Sequence, residues 1–322
     1  MSLRLLMMGT GTFALPTFRE LLDSGHEVVG LVTQPDRLGR GHHHHLHPMK
    51  EQAIVAGIPA FQPDNVNSPE SLDELRRFRA DVFVVAAYGQ ILSAELLAIP
   101  PLGAINLHAS LLPRYRGAAP IQYAVWKGEA ETGVTIFRIE PKLDAGPILG
   151  VVRTPIGEQE TSGELELRLA DLAAPVTLTV LDQLEHGTTQ PLTQERTAVT
   201  RARKLRKEQG EIDWHRTPRE IDCHLRAMQP WPMPYTFLHV HGKPPQRVLV
   251  LAVAASESLP PSCATVGTVM STDHQQIHVA VGGGALRIER IQPAGKRAMS
   301  ASDFLRGNTV PVGSRFGSES HR

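Results

Sequence analysis

Apolar and polar positions along the 322 residues follow two regimes, one up to about residue 187 and another from about residue 209. Leu3–Met8 is an apolar run of strand length, Gly9-Thr10-Gly11-Thr12-Phe13-Ala14 interrupts it, and helical spacing runs from Leu15 to Ser24. Strand, glycine turn and helix in that order open a doubly wound α/β sheet. Val28–Thr33 predicts a second strand, and helical spacing recurs near 48–56 and 68–78. Asp81-Val82-Phe83-Val84-Val85-Ala86-Ala87 has no polar alternation after its first residue, as a parallel strand covered on both faces requires. A short strand is expected at Ile105–His108, a helix near 119–127, and strands at 133–139 and 147–154. A long helical pattern then runs from Ser162 through Leu165, Leu169, Leu172 and Leu181 until Gly187 ends it.

Residues 188–208 are polar and read as a linker over the surface, carrying the basic run Arg201-Ala202-Arg203-Lys204-Leu205-Arg206-Lys207. Thr217-Pro218-Arg219-Glu220 has the form of a helix start, with Thr217 as cap and Pro218 in the first turn. Short apolar runs follow at 235–241, 247–254, 265–270, 276–281 and 285–291, separated by Gly and Pro. That spacing predicts a small antiparallel, OB-like β-barrel. The expected fold class is therefore α/β, a doubly wound (Rossmann-like), mostly parallel sheet followed by a smaller C-terminal β-barrel. The expected domains are 1–187 and 209–322, joined by the 188–208 linker.

Candidate chemistry sits at the ends of the predicted strands, where open α/β sheets bind ligands. In the short strand, residues two apart share a face, so Asn106 and His108 point the same way. A carboxamide beside an imidazole can stabilise a carbonyl oxygen that gains negative charge. A carboxylate follows in a turn of small residues, Lys142-Leu143-Asp144-Ala145-Gly146-Pro147. A second constellation competes: Gly9-x-Gly11-x-x-Ala14 partly fits a dinucleotide fingerprint, with Asp36 downstream. A nicotinamide-dependent oxidoreductase therefore stays open at this point, as does a non-catalytic RNA-binding module. No Ser-His or Cys-His motif suggests a covalent nucleophile.

The string Asn106-x-His108-x-Ser110-Leu111-Leu112-Pro113, then Arg116-Gly117-Ala118-Ala119-Pro120, then Leu143-Asp144-Ala145-Gly146-Pro147 resembles the folate-dependent formyltransferases. The C-terminal motifs extend the likeness over nearly the whole chain: Lys207-Glu208-Gln209-Gly210-Glu211-Ile212-Asp213-Trp214, Arg226-Ala227-Met228-Gln229-Pro230-Trp231-Pro232 and Ile291-Gln292-Pro293-Ala294-Gly295-Lys296. Within the family, the likeness is to members acting on methionyl-tRNA. The resemblance implies 10-formyltetrahydrofolate as donor, initiator methionyl-tRNA as partner, and Asn106, His108 and Asp144 as catalytic residues. It further implies that Tyr88, Gly89, Gln90, Ile91 and Leu92, with Ser110, Leu111, Leu112 and Pro113, line the folate pocket. Phe13 would meet the methionyl side chain, and 209–322 would be a tRNA-binding barrel. Arg40 matches the core of a basic loop implied to enter the acceptor stem, although His42 and His43 stand where that loop carries lysines. Free-standing glycinamide ribonucleotide enzymes lack the second domain, and sugar-nucleotide enzymes commonly end differently.

Charge adds one thing to this picture. The formal net charge is zero, yet residues 1–199 hold 16 Lys and Arg against 23 Asp and Glu, a net of −7, and residues 200–322 hold 17 against 10, a net of +7. A basic second half suits a polyanionic partner, with Arg201, Arg203, Lys204, Arg206 and Lys207 as a phosphate-facing strip. Five histidines among 42–47 have no nearby Cys or carboxylate to complete a site, so no metal is expected. With two cysteines, a short polar-flanked N-terminus and no apolar run of about 20 residues, neither a disulfide framework nor a membrane span is expected. A cytoplasmic monomer is the resulting expectation.

Overall fold

The computed structural model describes residues 2–36, 47–256, 264–272 and 275–320. The first half contains strands β1 (Arg4–Gly9), β2 (Glu27–Val32), β3 (Ala60–Phe61), β4 (Val82–Ala86), β5 (Ala104–His108), β6 (Arg116–Gly117), β7 (Glu131–Arg138) and β8 (Ile148–Pro155). Helices α1 (Leu15–Asp23), α2 (Pro48–Val55), α3 (Pro69–Arg77), α4 (Ala94–Leu97), α5 (Pro120–Trp126) and α6 (Ser162–Glu185) alternate with them. The main sheet has the order β3-β2-β1-β4-β5-β7-β8. Its first five strands run parallel, and β7 and β8 are antiparallel additions at one edge.

Every residue of β4 is buried, as its unbroken apolar run predicts for a central strand covered on both faces. One face packs Leu6, Met8, Phe83 and Val85 against Leu72, Leu75 and Leu96 from the flanking helices. Each such side chain contributes about 1.5–3 kcal/mol by leaving water. Because β1 lies between β2 and β4, the strand order reverses there, and the carboxyl ends of β1, β4 and β5 open onto one edge. The turn after β1 is tight: a Cβ at Gly9 would stand 2.8 Å from the Cβ of Ala14.

The second half contains β9 (Arg201–Ala202), α7 (Pro218–Ala227), β10 (Tyr235–His239), β11 (Gln246–Ala255), β12 (Val269–Ser271), β13 (Ile277–Val281), β14 (Gly284–Pro293), β15 (Met299–Ser300), α8 (Ala301–Gly307) and β16 (Arg315–Gly317). The antiparallel order β12-β13-β14-β11-β10-β16 nearly closes on itself. Val269 N–H donates to Ser314 O and Phe316 N–H to Gly267 O, both at 2.8 Å, bringing β16 back beside β12. A Cβ on Gly267 would sit 2.2 Å from the Phe316 carbonyl, so this closure requires glycine. Register shifts between Val250 and Val253 bend β11 enough for the sheet to curl. The interior is apolar, with Val250, Ile277, Val279, Ile291, Phe304 and Phe316 at or below 1% exposure.

Helix α7 starts as its sequence predicts. Thr217 Oγ1 accepts from Glu220 N–H, and Glu220 Oε2 accepts from Thr217 N–H at 2.9 Å, while Pro218 occupies the first turn. Elements beyond the sequence expectations include α8, whose start is fixed by Ser300 accepting from Asp303 N–H at 3.1 Å, and the short strands β3, β6, β9, β15 and β16. The chain forms two compact units. The first holds 1–120, 131–155 and 165–202; the second holds 121–130, 156–164 and 203–322. The polar segment expected to run over the surface between them divides after Ala202, and Gln194 and Ala202 within it are buried. Pairing of β9 with β6 is what draws it in.

Candidate active site

Strand β5 ends the parallel part of the sheet and places Asn106 and His108 on one face. Register with β7 fixes both, Asn106 opposite Phe137 and His108 opposite Thr135. The Asn106 carboxamide is half-buried and has no hydrogen-bond partner among the described residues. His108 is 6% exposed. Its Nε2 donates to the Tyr115 carbonyl at 3.0 Å, so the free ring nitrogen is Nδ1, which lies 3.9 Å from Asp144 Oδ2. His108 and Asp144, far apart in sequence, are thereby brought together at the sheet edge.

Burial pushes the His108 imidazole below its usual range; Asp144 and the Tyr115 carbonyl pull it partly back, and Arg116 adds to the depression. Desolvation thus outweighs the Asp144 charge, which by itself would favour the imidazolium. The neutral ring has its proton on Nε2 and a basic Nδ1 facing Asp144. Asp144 sits in the left-handed region at φ 47°, and its Oδ2 accepts from Gly117 N–H at 2.8 Å.

The loop between His108 and Gly117 is fixed by its own polar groups. Thr135 Oγ1 donates to Ser110 O at 2.6 Å and accepts from Leu112 N–H at 3.1 Å. Ser110 Oγ donates to Arg114 O at 2.7 Å. Leu112 packs with Phe137 and Ile148, so of the proposed Ser110–Pro113 wall, Ser110 and Leu112 turn inward. Thr135 and Gln194 lie near the site outside every sequence motif, and Arg116, which opens one of those motifs, was given no role by it. Arg116 Nε and Nη2 donate to Gln194 Oε1 at 3.2 and 2.6 Å. Only the opposite strand's register could have pointed to Thr135, and nothing local marks Gln194.

The segment 88–92 leaves β4 at the same edge. Tyr88 is 2% exposed, packed in the core with Leu92, and burial raises its hydroxyl pKa. Gln90 Oε1 accepts from Val66 N–H at 2.9 Å. What this segment presents outward is its backbone, including Gly89 at φ 89°, and the Ile91 side chain, 82% exposed. Phe13 is buried at 6% exposure in the turn after β1. Arg201, Arg203, Lys204, Arg206 and Lys207 are all exposed. Arg40, with His42 and His43, lies outside the described residues.

The dinucleotide constellation is occupied by the protein itself. The Gly11 N–H, which a phosphate would need, donates to His47 Nε2 at 2.9 Å. The Asp36 carboxylate pairs with Lys50 and accepts from Gln62 Nε2 at 3.0 Å, leaving it engaged away from any ribose. Among the described residues, one cluster has metal-type side chains, His26, Asp182 and Glu185. Leu3 N–H donates to His26 Nδ1 at 3.4 Å, so the ring proton is on Nε2 and faces Asp182 Oδ1 at 3.5 Å. The lone pair of that tautomer is on Nδ1, where it accepts from Leu3 N–H.

Residues 1–181 match the family model described as formyl transferase, and residues 204–309 match the formyl transferase C-terminal domain. Similar solved structures include HypX from Aquifex aeolicus in complex with tetrahydrofolic acid, with a TM-score of 0.62 at 16% identity over 94% of this chain and 46% of that one. An N-formyltransferase from Helicobacter canadensis, in complex with folinic acid and dTDP-3-aminofucose, gives 0.66 at 15% identity over 91% and 100%. Glycinamide ribonucleotide transformylase 1 from Symbiobacterium toebii gives 0.51 at 18% identity over 59% and 94%. The chain spans about half the length of the HypX structures it matches. At these identities the likeness shows the fold.

Proposed function

The chain belongs to the formyl transferase family, and we propose that within it the protein moves a formyl group from 10-formyltetrahydrofolate to the α-amino group of initiator methionyl-tRNA. The observation that carries the chemistry is the approach of His108 Nδ1 to Asp144 Oδ2, 3.9 Å, beside the unpartnered Asn106 carboxamide. The amine nitrogen attacks the formyl carbon, the carbonyl oxygen becomes anionic, and Asn106 donates a hydrogen bond to it. The basic His108 Nδ1 takes the proton shed by the amine, and Asp144 stabilises the imidazolium formed. That proton then passes to the folate nitrogen as its bond to the formyl carbon breaks. Atoms balance without a covalent enzyme intermediate. The Tyr88–Leu92 and Ser110–Pro113 segments, at the same edge, are proposed to seat the folate.

The acceptor is argued from the second half. Its net charge is +7, and Arg201, Arg203, Lys204, Arg206 and Lys207 are exposed in one run that leads into the barrel. Phosphates along a tRNA supply the complement to such a strip. The protein would then act as a cytoplasmic monomer in translation initiation; among the described residues, no helix is long and apolar enough to cross a membrane.

A second reading, formylation of an amino sugar on a nucleotide, is favoured by one observation. The Helicobacter canadensis structure is covered over its full length by 91% of this chain. One assay separates the two: the purified chain with 10-formyltetrahydrofolate and, in parallel, methionyl-tRNA, a dTDP-amino sugar and glycinamide ribonucleotide. Formyl-methionine in the first vessel alone is the expected result; formyl sugar in the second would replace the tRNA reading.

A further inference from the structure

We propose that Gln194 is a positioning residue for the transfer, its side-chain amide holding the turn that carries Asp144 against His108. The inference rests on reading His108 and Asp144 as the proton-moving pair. Gln194 is 50 residues from Asp144 in sequence, in a polar segment that shows no pattern, yet it is 6% exposed.

Its amide is saturated. Nε2 donates to the Asp144 carbonyl at 3.0 Å and to the Gly146 carbonyl at 2.8 Å. Oε1 accepts from Arg116 Nε and Nη2. Two N–H donors and both lone pairs of a carboxamide are thereby used, and only Gln or Asn could offer that set. The contacts close a ring. Arg116 holds Gln194, Gln194 holds the Asp144 backbone, and the Asp144 carboxylate accepts from the amide of Gly117, the residue after Arg116.

The turn depends on that ring. Asp144 is left-handed at φ 47°, a conformation that a side-chain-bearing residue keeps only when its surroundings impose it. On its other side the turn is pressed against β7, where a Cβ at Gly146 would meet the Arg138 carbonyl at 1.8 Å. Without Gln194, two carbonyls lose their donors and the Arg116 guanidinium loses its acceptor. Arg116 already feels the Asp144 charge and would be released to draw that carboxylate from His108. The neighbouring strand would stay. Tyr115 N–H donates to Thr200 Oγ1 at 2.8 Å and Ala118 N–H to Ala202 O at 2.9 Å, bonds that do not involve Gln194. Residues 192–202 thus act as a strap on the catalytic unit.

The test uses the full chain with Gln194→Glu and Gln194→Ala. The Glu variant keeps the side-chain volume and an acceptor for Arg116 but removes both N–H donors. Amide hydrogen exchange is read at Gly117, whose N–H reports a seated Asp144 carboxylate, and at Tyr115 as the internal reference. We expect Gly117 to exchange at least tenfold faster in both variants, with Tyr115 within threefold of wild type. Formyl transfer should show kcat lower by 10- to 100-fold with KM for the folate donor within threefold. Unchanged Gly117 protection, equal loss at Gly117 and Tyr115, or wild-type kcat in the Glu variant would each overturn the proposal. Should the wild-type chain transfer formyl to no acceptor, the function proposed above fails by itself, and the exchange measurement still decides Gln194.

Discussion

The two compact units treat buried polar groups in opposite ways. In the barrel unit, described examples close onto protein partners: Trp214 Nε1 donates to Thr236 Oγ1, which donates to Gly317 O, both at 3.0 Å, and His224 Nε2 bonds Gln209 O at 2.7 Å. In the sheet unit, capacity is left over. Among the described residues, the buried side-chain polar atoms without a partner are Thr17 Oγ1, His47 Nδ1, Tyr88 Oη and Arg138 Nε, and all four belong to the sheet unit. To these the carboxyl edge of the sheet adds Asn106, half-buried and without a partner among the described residues, and the basic Nδ1 of His108. Spare hydrogen-bonding capacity in a dry place costs stability, so it persists where a ligand or a transition state completes it. The barrel is built to hold together, and the sheet edge is built to be completed.

The contrast breaks most sharply on stability. Phe304→Ala removes a fully buried ring from the barrel interior and should cost about 3–5 kcal/mol in urea unfolding. Asn106→Ala, at the sheet edge, should change unfolding by less than about 1 kcal/mol because the carboxamide has no partner to lose among the described residues. Its effect belongs to turnover, about 10²- to 10³-fold in kcat, equivalent to about 2.7–4 kcal/mol for one oxyanion donor. His108→Ala should lower kcat by at least about 100-fold with the fold intact, as followed by circular dichroism. An Asn106→Ala effect confined to folate KM would remove the oxyanion role and make the sheet edge an ordinary binding face.

Much of the sheet unit was legible because each of its signals is local. The unbroken Val82–Ala86 run, the glycine turn after β1 and the period-two placing of Asn106 and His108 each specify backbone over a few residues. The same holds for the Thr217–Glu220 capping box and the spacing of strands β10 to β14. What escaped is non-local. Gln194, Thr135 and Thr200 act through hydrogen bonds to residues 23 to 85 positions away, and no periodicity records such bonds. The segment 188–208 looked like a solvated connector because its polar composition is that of one; pairing of β9 with β6, two residues long, draws its first part into the sheet unit. Tyr88 and Gln90 illustrate a different limit. A turn at the ligand edge of a sheet is readable, but whether its side chains face the ligand or the core is set by packing.

A smaller effect is expected from the basic strip. Arg203, Lys204 and Lys207 are exposed, and neutralising all three should weaken tRNA binding by about 10-fold or more at moderate salt. The slope of log Kd against log salt should flatten by about 3, one for each phosphate that is no longer neutralised. Stability should move by less than about 0.5 kcal/mol, since exposed charges contribute little. An unchanged salt slope would reduce the strip to a solvated connector and leave the tRNA reading without its electrostatic support.

The smallest effect, and the one that separates the two units most finely, is on pH-dependent stability. Burial depresses both His108 and His224. A histidine whose folded pKa lies below its unfolded value of about 6.5 binds fewer protons when folded. Its contribution is therefore present above about pH 6.5 and is lost as pH falls through the folded pKa, with a slope of at most about 1.4 kcal/mol per pH unit for one proton. At His224 burial is opposed by the Gln209 carbonyl and the Asp213 charge, with Lys127, Arg216, Glu211 and Glu220 around the same cavity. At His108 the main opponent is Asp144, whose Oδ2 lies 3.9 Å from the ring nitrogen Nδ1. Asp144→Asn should deepen the depression of His108 and steepen the loss of stability below pH 6.5, whereas His224→Gln should flatten it. Unfolding midpoints in urea between pH 8 and 5 for the two variants and wild type make the measurement. Parallel curves for Asp144→Asn and wild type would mean that Asp144 does not sense His108 in solution, and the sheet edge would then differ from the barrel only in its unfilled hydrogen-bonding capacity.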